Sequence, residues 1–335
     1  MTTYSKTIGS GGDYANFDAW QTARVAAAQS VSGDTEEAVF LNGTFTHGYL
    51  MMNSGWPSGV KVRITAQNPH KGYWNLDEGG TKIVTTAQGA FQFGGMTNSG
   101  VVFEIDNLVL IGSSGTTFDR CIPINGENNN IRFLNCLIRN NNSAGAAIYI
   151  FGSNTTPKNI YLENCVIHRV GSAEAVYHAF TASSYLYLSA VGCFINGLYM
   201  GTASNQQNYL NFSGSILSGS LVGGTTSRVA VDCIGTNAWT GWTTTHCSAA
   251  TFVVGTPTAG QVGFTSFSNY DFSLVDDDNN LAKNFVLTAQ MPATDIKGTS
   301  RPQGQYADAG AFEIIEPVNL QTFTIPLAIS VLLVT

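Results

Sequence analysis

The segment Ile131 to Ile138, I-R-F-L-N-C-L-I, recurs down the middle of the chain with its spacing intact. Phe103 to Leu110 (F-E-I-D-N-L-V-L) precedes it, and Ile160 to Ile167 (I-Y-L-E-N-C-V-I) follows. Leu188 to Ile195 then ends G-C-F-I, and Leu210 to Leu217 ends G-S-I-L. Inward-type residues hold positions one and three, Asn or Gly position five, and apolar or small residues positions six and eight. Alternation at period two makes a strand, and Asn and Gly tolerate the left-handed backbone of a sharp bend. Each copy is therefore expected to fold as strand, tight corner, strand. Successive copies begin 28, 29, 28 and 22 residues apart, the period of a stacked solenoid rather than a sandwich.

A second apolar strand precedes each copy by a fixed distance. Phe91 to Phe103, Ile148 to Ile160, Val176 to Leu188 and Leu198 to Leu210 are all 12 residues, while Ile122 to Ile131 is 9. A constant offset means a constant turn, which fixes register and assigns faces. Phe91, Ile122, Ile148, Val176 and Leu198 point inward. So do Phe93, Ile124, Ile150, His178 and Met200 two residues on. The residues between point out: Gln92, Pro123, Tyr149, Tyr177 and Tyr199. Three consecutive rungs thus present tyrosine on one outer face.

Only 11% of the residues are charged, which disfavours long ion-paired helices and favours stacked strands with polar turns. The net charge of -7 and the lack of a basic run argue against a nucleic-acid partner. The start, Met1-Thr2-Thr3-Tyr4, leads into no apolar segment of signal-peptide length, so synthesis in a cytoplasm without classical secretion is expected. Cys136, Cys165 and Cys193 share one repeat position and would stack about 4.8 Å apart, as a ladder of reduced, buried side chains. No cysteine spacing matches a metal knuckle, and neither a metal nor a cofactor is expected.

In chain order, Asn16 caps a helix to about Gln29 whose shared face holds Phe17, Trp20, Ala23 and Ala27. The strand Ala38 to Leu41 follows, closed by Asn42-Gly43, and Val60 to Ile64 alternates clearly. Past Ser220 the repeat weakens: Ser227 to Cys233 is one more strand, and residues 236–272 are read as longer excursions.

The segment Gly9 to Trp20 (G-S-G-G-D-Y-A-N-F-D-A-W) and the strand behind it resemble the opening of right-handed parallel β-helix proteins of the pectate-lyase-like superfamily. Asp295 to Glu313, with its D-x-x-G-x-x-R-P and D-x-G-A-F-E elements, is similar to their closing signature. The resemblance implies a helix that plugs the first rung and a signature that marks the final rung. There, Arg301, Asp308 and Glu313 would serve as structural ion-pairing groups. An open solenoid end exposes core and strand edges, so a plug is also what the physics demands. The fold expected is all-β: a single right-handed parallel β-helix of about eight to ten coils, its hand following the crossover rule. Residues 1–45 form the N-terminal cap, 46–316 the helix, and 317–335 an apolar C-terminal extension. That extension is too short to span a bilayer and would aggregate if bare. It either packs on its own helix as a last strand or is buried by another subunit, for which Phe323, Ile325 and Leu327 are the candidate contacts.

Tyr149, Tyr177 and Tyr199, with Phe151 beside them, are the candidate ligand surface, since aromatic faces suit sugar rings or a partner. The same column could equally be a ladder of like side chains that stabilises the sheet. Asn107, Asn135 and Asn164 are assigned to the bend. For glycan cleavage, paired carboxylates or a base with a calcium-binding acid cluster are required, and the nearest candidates are Asp119, Arg120, Glu127 and Glu174. Solvated loop positions are the competing reading for all four. Asp276 to Asn280 lacks the spacing of a calcium loop and reads as a polar turn, and His178 reads as a core histidine.

This fold hosts many functions, so function rests on the site. The leading expectation is a non-enzymatic virion structural protein of a tailed phage: a head decoration, fibre or spike component. It would be oligomeric or assembly-bound through the extension, with a cell-surface or polysaccharide ligand. A polysaccharide lyase or glycoside hydrolase of tailspike type is the alternative, and a bacterial surface adhesin a third.

Overall fold

A computed structural model describes residues 1–47, 50–52, 55–70, 72, 80–85, 91–93, 100–112, 120–124, 130–142, 145–152, 157–170, 174–180, 184–200, 206–222, 227–236, 239, 241–266, 271–287 and 291–315. Asp119, Glu127 and the whole extension with Phe323, Ile325 and Leu327 lie outside them.

Ten strands stack in parallel to make the first sheet, beginning with Thr3–Ile8 and Thr35–Phe40 and ending with Ser227–Val231 and Thr243–Thr245. Ten strands mean ten rungs. Phe103 pairs with Ile131, Ile131 with Ile160, Ile160 with Leu188 and Leu188 with Leu210, which is the register of the sequence repeat. The first strand after each corner builds a second row, from Gly43–His47 through Leu137–Asn140 to Ser248–Ala249. Upstream strands make a third: Ile122 pairs with Ile148, Ile148 with Val176, and Val176 with Leu198. The fold is a parallel β-helix.

The coil is not uniform. Phe194–Met200 pairs with both Val166–Arg169 of the second row and Val176–Phe180 of the third, so the two rows merge there. This is the rung with the 22-residue period: the turn between rows has been shortened away, leaving a register shift between Asn196 and Leu198. Rungs then shrink further. Leu210 pairs with Arg228, 18 residues on, and Val229 with Thr243, 14 residues on.

The N-terminal end is plugged as expected. Helix Phe17–Ala27 is capped by Asn16, whose side chain accepts from Ala19 N at 2.9 Å. Phe17 and Trp20 are fully buried, with Phe17 6.0 Å from Phe91 and Trp20 5.5 Å from Trp56 between ring centroids. The helix face departs from expectation: Ala27 is exposed, and Gln21 and Arg24 are buried in its place. Arg24 forms two bonds to the fully buried Glu36, at 2.8 and 2.9 Å, and a paired guanidinium tolerates burial that a bare one does not. Residues 1–45 also supply the first two strands of the stack.

The described residues form two apolar cores. One fills the solenoid, from Ile8 to Cys233. The other lies outside it, built on the outward side chains Val109, Leu137, Val166, Phe194, Ile216 and Ile234 of the second row. Its cover is a small sheet of Thr251–Val254, Gln261–Ser266 and Asp271–Leu274, with Ala282, Val286, Ile296, Ala307 and Phe312. Burying each such Leu, Ile or Phe is worth roughly 1.5–3 kcal/mol. This corrects two expectations. Part of 236–272 forms two further strands of the rungs, Thr243–Thr245 and Ser248–Ala249, and Thr251–Val254 and Gln261–Ser266 belong to a separate sheet. The closing signature lies along the side of the helix, not on its last rung. Gly310 N donates to the Gly214 carbonyl at 2.7 Å, and Asn164 Nδ2 to the Thr294 carbonyl at 2.7 Å. Six apolar outward residues need covering, and this segment covers them.

Candidate functional site

Tyr149 is in register with Tyr177, and Tyr177 with Tyr199, on three neighbouring rungs of the third row. All three are half-buried, while their inward neighbours Ile148, Val176 and Leu198 are buried. Ring centroids are 5.2 and 4.5 Å apart, with planes inclined by 8° and 10°. The rings thus stack on one another. Their faces turn along the column, and what they turn outward is ring edge and hydroxyl, which corrects the expectation of free aromatic faces. Strand spacing of about 4.8 Å enforces this stacking wherever like aromatics share a column.

Arg120 caps one end. Its guanidinium carbon is 3.7 Å from the Tyr149 centroid and 4.5 Å from that of Phe151, which itself lies 5.3 Å from Tyr149. Partial burial pulls the Arg120 pKa down, countered by Tyr149. Glu174 acts electrostatically on Tyr177 and Arg169. Burial, with the neighbouring tyrosines and Glu174 behind it, pushes the Tyr177 hydroxyl up, so it stays protonated and can donate. Of the four candidate chemical residues, the structure brings Arg120 onto the tyrosine column, and Glu174 acts on Tyr177 only electrostatically. Among the described residues, no group of three His, Cys, Asp or Glu side chains is placed to hold a metal ion. Asp276 and Asp278 are bonded by Lys283 at 2.9 and 3.2 Å.

The corner residues form a column of their own. Asn107, Asn135 and Asn164 sit at φ 57, 51 and 51°, followed by Gly192, Gly214, Asp232 and His246 in the same left-handed conformation. Asn164 Nδ2 donates to Asn135 Oδ1 at 3.2 Å, and Asn135 Nδ2 to Asp106 Oδ1 at 3.1 Å. Cys136, Cys165 and Cys193 are free and buried, and burial pushes the Cys165 and Cys193 thiols up.

In the closing segment Arg301 meets Glu313 at 3.4 Å and donates to the Gly310 carbonyl at 2.9 Å. Asp308 accepts from Asn284 N at 2.7 Å and Ile314 N at 2.6 Å, yet burial and Glu313 push its pKa up to about 7. These groups tie the closing segment to itself, and Gly310 N and the Thr294 carbonyl then bond it to the helix wall at Gly214 and Asn164.

Two features escaped the sequence reading. Tyr187 and Tyr209 stack at 4.7 Å on the first sheet, where Tyr187 is 42% exposed. The signal was present, since each directly precedes position one of its repeat. Inside the solenoid, fully buried Lys158, His178 and Asn208 come together; His178 lies where expected, and burial, then Lys158, pull its pKa down to about 3. Period-two patterning marks inward positions but says nothing of which polar ones converge from different rungs.

No protein-family model matches this sequence, and no curated protein does. Among solved structures the chain is similar to a pectin methylesterase of Aspergillus niger, with a TM-score of 0.36 and 14% identity over 90% of this chain and 95% of that one. A likeness that distant carries nothing about the site.

Proposed function

We propose that this protein is a rigid, non-enzymatic β-helix that binds a glycan along the Tyr149–Tyr177–Tyr199 column as a structural component of a larger particle. The observation behind it is the column itself: three tyrosines in register, stacked 5.2 and 4.5 Å apart, with Arg120 3.7 Å above the first. Tyrosines already locked by stacking lose little further entropy when a ligand binds. A polymer that repeats hydroxyl groups along its length suits a row of phenols and a terminal guanidinium fixed on a scaffold.

Particle assembly rests on composition. Charge is sparse at 11%, and the apolar residues 318–335 call for a covering partner. A tailed-phage head decoration, fibre or spike component is the specific form of this reading.

A glycan screen followed by calorimetry tests it. Changing all three tyrosines to Phe keeps the stack and removes the hydroxyls; affinity should fall about tenfold or more, with the unfolding midpoint held. Unaltered affinity in that variant and in the triple Ala variant would reduce the column to a structural ladder. New reducing ends or double-bond absorbance on incubation with polysaccharide would replace binding with hydrolase or lyase activity. Deleting 318–335 should abolish incorporation into a larger particle, and retained incorporation sinks the anchoring role.

A further inference from the structure

From the Asn135 corner onward, the residue after each corner forms one inward column: Cys136, Cys165, Cys193, Ser215, Cys233 and Cys247. Cys165 N donates to Cys193 Sγ at 3.4 Å, Cys193 N to Ser215 Oγ at 3.1 Å, and Ser248 N to the Cys233 carbonyl at 3.0 Å. Ser215 divides the six into an inner trio of thiols and a terminal pair. The trio is buried, with rungs on both sides. Cys247 lies on the last rung of the stack, where no described strand pairs beyond Thr243–Thr245 or Ser248–Ala249, and it is only partly buried.

Ile234 pairs in register with Ser248, which sets Cys233 directly opposite Cys247 on the same inward side. Cys247 Sγ donates to the Ala230 and Thr245 carbonyls at 3.3 and 3.5 Å, and Cys233 Sγ to the Val231 carbonyl at 3.2 Å. The interaction with Cys233 pulls the Cys247 pKa below the ordinary thiol range, which favours Cys247 over Cys233 as the thiol that ionises. Burial, and then Cys247, push Cys233 well above its ordinary range.

We propose that Cys233 and Cys247 are an oxidisable pair in which Cys247 is the reactive thiol and Cys233 resolves it, leaving a disulfide that ties the final rung to the one before. With oxidised glutathione as oxidant, the Cys247 thiolate attacks one glutathione sulfur. The S–S bond breaks and one glutathione departs as thiolate. Cys233 gives its proton to that thiolate and attacks the Cys247 sulfur, releasing the second glutathione. Two protein thiols become one disulfide, and one glutathione disulfide becomes two thiols. In-register parallel neighbours lie about 4.8 Å apart, a little beyond the ~3.8 Å Cβ separation a disulfide favours. Among the described residues no strand pairs on the far side of the last rung, which can therefore draw in, whereas the trio is held by rungs on both sides.

The test treats the native, reduced protein with oxidised glutathione and then maps peptides by mass spectrometry under non-reducing conditions. Two of the six thiols should be lost, with the 233 and 247 peptides joined and no glutathione retained. Cys233→Ser should instead stop at a glutathione adduct on Cys247, and Cys247→Ser should leave every thiol free. Serine already stands in this column at 215, so the core accommodates it. A persistent adduct on Cys247 in the unsubstituted protein, no reaction there, or equal reaction of Cys165 and Cys193 overturns the proposal.

Discussion

Gly214 and Gly310 meet backbone to backbone, Gly310 N donating to the Gly214 carbonyl at 2.7 Å. A side chain on Gly214 would collide with Met291 Sδ, and one on Gly192 would begin 2.9 Å from Arg301 Nη1. The corner column therefore changes from Asn to Gly where the closing segment presses on it, and returns to Asp232 and His246 beyond.

That contact gives a paired prediction. Gly214→Asn keeps the left-handed corner but overpacks against Met291 and Val286, and should cost about 1–3 kcal/mol in denaturant unfolding. Asn164→Gly also keeps the conformation and loses two side-chain bonds, to Asn135 and Thr294, for about 1–3 kcal/mol. Asn164→Ala should be worse than Asn164→Gly by a further ~1 kcal/mol, since Ala must also hold φ 51°. Equal losses for Ala and Gly would remove the conformational part of the account.

Arg301→Met should be among the most damaging single changes, at about 3–5 kcal/mol, because it strands Glu313 and Asp308 in a buried site without their cation. Limited proteolysis should then cut within 281–315 before the rungs. Rungs that open first would show that the segment is not held by this clasp.

Asp308 carries a pH signature. Its folded pKa lies above the ordinary 3.8, at about 7, so the fold favours its protonated form. The stability it contributes is present at low pH and is lost as pH rises from about 4 through 7. Asp308→Asn should flatten that part of the stability curve relative to the parent, and an unchanged slope assigns it elsewhere.

His70 works in the opposite sense. Its Nδ1 accepts from Gly72 N at 2.9 Å, so Nε2 carries the hydrogen donated to the Asn135 carbonyl at 2.7 Å. Burial pulls its pKa from 6.5 down to about 4, so its contribution is full above 6.5 and is lost as pH falls through 4. A proton on Nδ1 breaks the bond from Gly72. His70→Gln should therefore reduce the loss of stability between pH 6.5 and 4 while lowering stability at neutral pH.

The sequence by itself determined the solenoid, its register and its corners, because strand alternation and left-handed Asn and Gly are local properties repeated at a countable period. It placed the three tyrosines in one outward column for the same reason. It left open whether their faces would meet a ligand or one another, and the structure shows them stacked on one another. Tertiary structure alone decided that the closing signature lies along the wall, over Leu137, Val166, Phe194 and Ile216. In a strand buried on both faces, alternation no longer distinguishes inside from outside, so the second core was invisible to periodicity. Arg24 in place of Ala27 on the buried helix face, and glycine in place of asparagine at corners 192 and 214, were likewise set by partners distant in sequence.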